Sequence, residues 1–264
     1  MKIPNQTQSE FTIVALRAAL QAGELLKRGF GTTFQVGSKS NKNDLVTEYD
    51  RTSEASIMET ILTAFPSHGF MGEEGGKKKS GEVMWIVDPL DGTSNFASNV
   101  PIFSISIAAA VGPEVVCGVV FQPMTQELFM AEKGKGSFLN GKLLKVRTTT
   151  ALESAFLATG FPSNVQENPL SCIETFTRLA RLGPQIRRLG SAAIDLSYVA
   201  AGRFDGYWEA SLQPWDFAAG KLILEEAGGK ITQYDGSPLD IFSATPVVAS
   251  NGHLHAQLLR ELQR

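Results

Sequence analysis

Histidine and cysteine are scarce in this 264-residue chain, which has three of the first and two of the second. The histidines are His68, His253 and His255, and none stands with a serine or cysteine in a recognisable nucleophile motif. That absence argues against a Ser–His or Cys–His hydrolase. His253 and His255 read as surface residues near the C-terminus. Cys117 and Cys172 lack CxxC spacing and read as buried thiols in a reducing compartment. No apolar stretch reaches the roughly 18 residues of a membrane span. The polar opening, Met1–Glu10, has no signal-peptide core. A cytoplasmic protein with no membrane partner is therefore expected. Basic excess is missing as well: 24 Lys and Arg face 27 Asp and Glu, a net charge of -3, so nucleic-acid binding is not expected. The run Lys77-Lys78-Lys79 reads as a solvated loop. Neither a Walker motif nor GxGxxG is present.

What is present is an ordinary globular balance, 43% hydrophobic and 19% charged, over a length that can bury a sizeable core. Residues 9–28 have helical spacing, with Ser9 as N-cap. A loop is expected from Gly37 to Asn43. Thr47 and Asp50 have capping-box spacing at the start of a second helix that Pro66 ends. Val83–Val87 reads as a strand stopped by Pro89. Strands follow over 103–111, 114–121, 128–131 and 136–139, with Asn140-Gly141 as a hairpin turn. The second half reads as strand 154–159, helices 168–182 and 191–201, strand 204–208, helix 215–227, strands near 230–234 and 246–250, and helix 252–263. Helices interleaved with sheets predict an α/β sandwich of two packed sheets.

The densest chemical signal is Trp85-Ile-Val-Asp88-Pro-Leu-Asp91-Gly-Thr93-Ser-Asn-Phe96. An apolar strand delivers two carboxylates to a glycine turn, and a helix can begin at Thr93. Carboxylates supply oxygen ligands to Mg²⁺, and a helix N-terminus supplies N–H donors to an anion. Further acids stand at Asp50, at Glu73-Glu74 and at Asp216 in Trp215-Asp-Phe-Ala-Ala-Gly220. Taken singly, each also reads as a solvated charge or a helix-dipole acid.

Taken together with Asp44-Leu-Val-Thr-Glu-Tyr-Asp50, Gly72-Glu73-Glu74, Gly134-Lys-Gly136 and Glu226-Ala-Gly-Gly229, these motifs resemble the inositol monophosphatase family over about residues 10–260. The resemblance implies one unit over 1–264, with an N-terminal α+β half (about 1–150) and a C-terminal α/β half (about 151–264), folded as a five-layered α-β-α-β-α sandwich. It implies lithium-sensitive hydrolysis of small phosphate monoesters with two to three Mg²⁺ ions, and a homodimer. Glu73, Asp88 and the Leu90 carbonyl resemble ligands of a first metal, and Asp88, Asp91 and Asp216 those of a second. Glu73 also faces a third. Thr93 and Asp50 resemble the pair that orients the attacking water. Backbone groups of Gly92 and Thr93, beside Asp91, resemble the phosphate cradle; Gly190, Ser191, Ala192 and Glu209 resemble the alcohol contacts.

Phosphate monoester dianions repel nucleophiles, so the reaction needs positive charge and a positioned water. Asn95-Phe96 resembles the inositol phosphate and sugar phosphate branch and Glu209 fits a polyol, which points to inositol 1-phosphate. Phe161, in Thr159-Gly-Phe-Pro-Ser163, departs from the small hydroxyl residue of several inositol-specific members and reshapes the alcohol side. Fructose 1,6-bisphosphate, histidinol phosphate and NADP are the alternative substrates. A non-catalytic metal- or phosphate-binding regulatory protein is the alternative of a different class.

Overall fold

The computed structural model describes residues 8–38 and 45–263. Asp44 and most of the loop expected over 37–43 lie outside the described residues. The elements run α1 (Glu10–Gly29), β1 (Val36–Ser38), β2 (Leu45–Thr47), α2 (Glu48–Ala64), β3 (Gly69–Gly72), β4 (Gly76–Lys79), β5 (Val83–Asp91), α3 (Thr93–Ala97), β6 (Ser104–Val111), β7 (Glu114–Gln122), β8 (Glu127–Glu132), β9 (Ser137–Leu139) and β10 (Lys142–Leu143). They continue with β11 (Phe156–Thr159), α4 (Cys172–Arg181), β12 (Gln185–Arg187), α5 (Ala192–Ala200), β13 (Gly206–Leu212), α6 (Pro214–Glu226), β14 (Lys230–Thr232), β15 (Thr245–Ser250) and α7 (His255–Leu262).

The central sheet has eight strands in the order β10-β9-β8-β7-β6-β5-β3-β4, and a second has five in the order β12-β11-β13-β15-β14. Helices α1 and α2 cover the outer face of the large sheet; α5 and α6 fill the space between the sheets; α4 and α7 close the far side. The layering is α-β-α-β-α, as expected. Its basis is the two-residue period of buried strands. In β5, Trp85 and Val87 join the core under α1 and α2, while Ile86 points into the core between the sheets. Both faces being covered, β6 is buried through Ala110 despite its serines.

Local chemistry sets the helix ends. Ser9 caps α1 through the Thr12 amide. Thr47 and Asp50 form the expected capping box on α2. Asn140 and Gly141 both take positive φ, 48° and 79°, as a two-residue hairpin turn requires. At the far end of α6, Glu226 accepts the N–H groups of Gly134 and Gly136, each at 2.7 Å, which ties the helix to the turn between β8 and β9.

Four expectations need correction. Strand β5 does not stop at Pro89. It pairs Asp88 with Ser106 and, after a register shift, Asp91 with Ser104; the proline lies in the bulge, where no ladder donor is needed. The lysine run belongs to β4, the edge of the large sheet, rather than to a loop; lysines there discourage edge pairing. The helix expected from 168 begins at Cys172, because Asn168, Leu170 and Ser171 take positive φ; Asn168 Oδ1 still accepts the Ile173 amide at 3.0 Å. His255 is buried at 2% exposure between Thr232 and Ser250, although His253 is exposed. Both cysteines are free and buried. Among the described residues no helix is long and apolar enough to cross a membrane.

Candidate active site

The end of β5 brings the acidic motif to one edge of the sandwich. Gly92 takes φ 97°, and a Cβ there would sit 3.0 Å from the Ile102 carbonyl, so only glycine turns the chain from β5 into α3. The turn leaves Asp88 and Asp91 on the strand and Thr93 at the start of the helix. The first-turn amides of α3 have no partner within the helix. A cleft of about 510 Å³ lies against Glu73, Gly92, Thr93, Ser94 and Asn95.

Thr93 Oγ1 donates to Asp50 Oδ1 at 2.9 Å, and the Leu90 carbonyl lies 3.1 Å away. Asp50 Oδ2 is held by the Thr47 amide at 2.7 Å and the Thr47 hydroxyl at 2.6 Å. The capping box therefore serves the site as well as the helix, by fixing the carboxylate that Thr93 addresses. Asp88 Oδ1 accepts the Leu90 amide at 2.9 Å. Asp91 meets the start of α5: its Oδ2 accepts the Ser191 hydroxyl at 2.5 Å and the Ala193 amide at 2.8 Å, and its Oδ1 accepts the Ala192 amide at 3.3 Å. Ser191 and Ala192, expected to face the alcohol, thus also anchor Asp91. Asp216 caps α6, its Oδ2 accepting the Gln213 amide at 2.7 Å.

Glu73, Asp88, Asp91 and Asp216 act on one another electrostatically. Burial, then repulsion from Glu73, Asp91 and Asp216, holds the Asp88 carboxyl well above the usual range. Burial, then Asp91 and Glu73, does the same to Asp216. Asp91 is also raised by burial, against its hydrogen bonds. Among the described residues neither Lys nor Arg pairs with Asp88, Asp91 or Asp216. Among the described residues no three such side chains are already gathered into a coordination sphere. The donor set is nonetheless all hard oxygen, crowded, buried and short of positive charge, which is the chemistry that fits a hard divalent cation.

Beyond Asp91 opens a smaller chamber of about 170 Å³, lined by Glu209, Arg188, Asp195, Ser191, Gly190 and Phe161 among others. Tyr207, wholly buried, donates its hydroxyl to Glu209 Oε2 at 2.5 Å. Burial pushes the Glu209 carboxyl up to about 7. Gly160 is required here, because a Cβ would lie 1.8 Å from Glu209 Oε2. Phe161 also borders the 510 Å³ cleft and a third cavity along Trp215 and Asp216, so its ring stands where the three meet. Its own support is an edge-on contact with Phe176.

All the expected site residues therefore gather at one edge of the fold, around Asp91. Sequence reading missed Tyr207, Arg188, Asp195 and the bridging role of Asn95. Asn95 Nδ2 donates to the Ile102 and Leu189 carbonyls at 2.7 and 2.8 Å, which ties α3 to the segment before α5. An acid flanked by Ile194 and Leu196 in a helix buried from Ala192 to Ser197 was a readable signal for Asp195.

Comparison with known proteins identifies the family. The Nus factor SuhB of Escherichia coli (strain K12) is 39% identical over 253 residues, covering 95% of this chain and 94% of that one. Inositol-1-monophosphatase of Synechocystis sp. is 41% identical over 251 residues, covering 94% and 87%. Among solved structures, extragenic suppressor protein suhB of Bartonella henselae superposes with a TM-score of 0.92 at 38% identity, covering 97% and 99%. Inositol monophosphatase of Anabaena (Nostoc) sp. gives 0.84 at 39%, covering 96% and 95%. The sequence pattern of the inositol monophosphatase family matches residues 7–264, and the chain belongs to that family of phosphatases.

Proposed function

We propose that this chain is an Mg²⁺-dependent phosphomonoesterase whose leading substrate is inositol 1-phosphate. The observation that carries it is the convergence of Asp88, Asp91, Asp216 and Glu73, without a paired cation on the three aspartates, beside the Thr93–Asp50 hydrogen bond. Glu73, Asp88 and the Leu90 carbonyl would hold one ion, with Glu73 facing a third; Asp88, Asp91 and Asp216 would hold another. Bound Mg²⁺ supplies the positive charge that lets water approach a phosphate dianion.

The chain's own groups do the positioning. Asp50 engages the Thr93 proton, so the Thr93 oxygen is left to accept a hydrogen bond from the attacking water. The first-turn amides at Gly92 and Thr93 hold phosphate oxygens and fix the phosphorus in front of that water. Gly190, Ser191, Ala192 and Glu209 face the alcohol that leaves. Glu209 accepts ring hydroxyls, which favours a polyol over an apolar alcohol. The likeness to the Synechocystis enzyme, named inositol-1-monophosphatase, supports the same choice. Fructose 1,6-bisphosphate, histidinol phosphate and NADP remain the competing substrates of this cradle.

The test is phosphate release from a panel of these four esters, with Mg²⁺ and with EDTA. Mg²⁺-dependent turnover with inositol 1-phosphate fastest is expected. Activity indifferent to EDTA would defeat the metal assignment, and a faster competitor would replace the substrate. Lithium inhibition and a homodimer in solution scattering are expected on the same grounds.

A further inference from the structure

Asp195 stands in the first turn of α5 and lines the 170 Å³ chamber. The residue is 1% exposed, and its Oδ1 is fully enclosed without a hydrogen-bond partner among the described residues. Among the described residues no salt bridge reaches it; Arg188, the cation that acts on it, is itself exposed. Asp205 makes a useful contrast. It too has an unpartnered Oδ1, but its Oδ2 accepts the Phe156 amide at 2.8 Å and pairs with Arg147, so its place in the fold is accounted for. Nothing in the fold uses the Asp195 carboxyl. A buried polar group with no partner lowers stability, and a ligand atom is the partner that the chamber can admit.

We propose that Asp195 is a specificity-determining residue whose carboxyl hydrogen-bonds a hydroxyl of the substrate's alcohol, alongside Glu209, and so selects polyhydroxylated phosphate monoesters. The inference rests on the phosphatase reading of the same site. Asp91 borders the chamber, so an ester whose phosphate lies over Gly92 and Thr93 reaches past Asp91 with its alcohol.

The two acids complement each other there. Burial, then the neighbouring Asp91 and Glu209, holds the Asp195 carboxyl well above the usual range. Glu209 already accepts Tyr207 on Oε2, which leaves Oε1 as an acceptor. A hydroxyl both donates and accepts, so it can partner the Asp195 carboxyl and Glu209 Oε1 together whichever of them holds a proton; an aryl ring partners neither.

The experiment compares kcat and KM in Mg²⁺ for inositol 1-phosphate, or the fructose ester if that is turned over faster, against phenyl phosphate, which has no hydroxyl. Asp195→Ala is expected to raise KM for the hydroxylated ester about tenfold and leave phenyl phosphate within about twofold. Asp195→Asn, which keeps a donor and an acceptor, is expected to retain most of the preference. Equal losses on both esters, or none on either, would overturn the proposal. If the alanine variant fails to fold by circular dichroism, Asp195→Ser takes its place with the same ratio as readout. Wild-type protein that hydrolyses neither ester would defeat the phosphatase reading itself, and this inference with it.

Discussion

Thr93 and Asp50 lie 43 residues apart in sequence, yet the Thr93 hydroxyl donates to Asp50 Oδ1 at 2.9 Å. The bond joins the turn after β5 to the first turn of α2, and Thr47 fixes the other carboxylate oxygen. In the proposed reaction, a water oriented by Thr93 would thus be aimed by two elements at once. Thr93→Ala should lower kcat by about 10²- to 10³-fold with KM changed less than about threefold, while Thr93→Ser keeps most of the activity. Steady-state kinetics with Mg²⁺ present checks this. A rise in KM at constant kcat would place Thr93 in binding instead.

The crowded carboxyls make stability depend on pH and metal together. Asp88, Asp91 and Asp216 have folded pKa values raised above the ordinary 3.8, so the folded state holds protons more firmly than the unfolded chain. Their contribution is full below the unfolded value and is lost as pH rises through the folded values. In EDTA, calorimetry should therefore show a wild-type deficit, relative to Asp88→Asn, that grows from about pH 4 upward. Mg²⁺ should raise the wild-type melting temperature at neutral pH and do so much less for the variant. A gap that narrows as pH rises would contradict the raised values.

Gly160→Ala tests the wall of the chamber. The new methyl would meet Glu209 Oε2 at 1.8 Å, so the carboxylate must leave Tyr207 or the turn after β11 must shift. A loss of about 10- to 100-fold in kcat/KM for inositol 1-phosphate is expected, with phenyl phosphate affected far less. Parallel losses would mean that the turn supports the metal side too.

His255 gives an opposite pH response. Between Thr232 and Ser250 its ring stays neutral, with the pKa brought down to about 4 by burial and then by Lys230. Here the unfolded chain takes the proton first, so stability is lost as pH falls from about 6.5 towards 4 and changes no further below that. Between those limits the wild type should lose on the order of 2 kcal/mol relative to His255→Asn in urea unfolding. Equal slopes for both proteins would show that the ring titrates normally.

Much of the site was legible because its motifs are short and local. Asp88 to Thr93 is one strand, one turn and one helix start, and the Thr47–Asp50 box is a single helical turn. What was misread depended on distant neighbours. Pro89 looks like a stop until the bulge opposite Ser104 and Ser106 is seen to need no donor there. The three lysines look like loop until β3 offers them an edge. His255 looks exposed until Thr232 and Ser250, on β14 and β15, enclose it. The serine face of β6 is covered by α6: Ser106 donates to the Trp215 carbonyl at 3.0 Å. Tyr207 and Asp195 are ordinary residues of a strand and a helix, and only the stacking of the two sheets turns them toward Asp91.

The clasp between Glu226 and the glycine amides has a bearing on how the site admits a cation. Helix α6 carries Asp216 in its first turn and is fastened at its last residue, so it cannot slide lengthwise without breaking two charge-assisted bonds. Glu73 follows β3, a four-residue strand next to the sheet margin. Asp216 thus rides on a bolted element, so in the proposed site any adjustment along the α6 axis to ions of different radius would fall to the groups that face it.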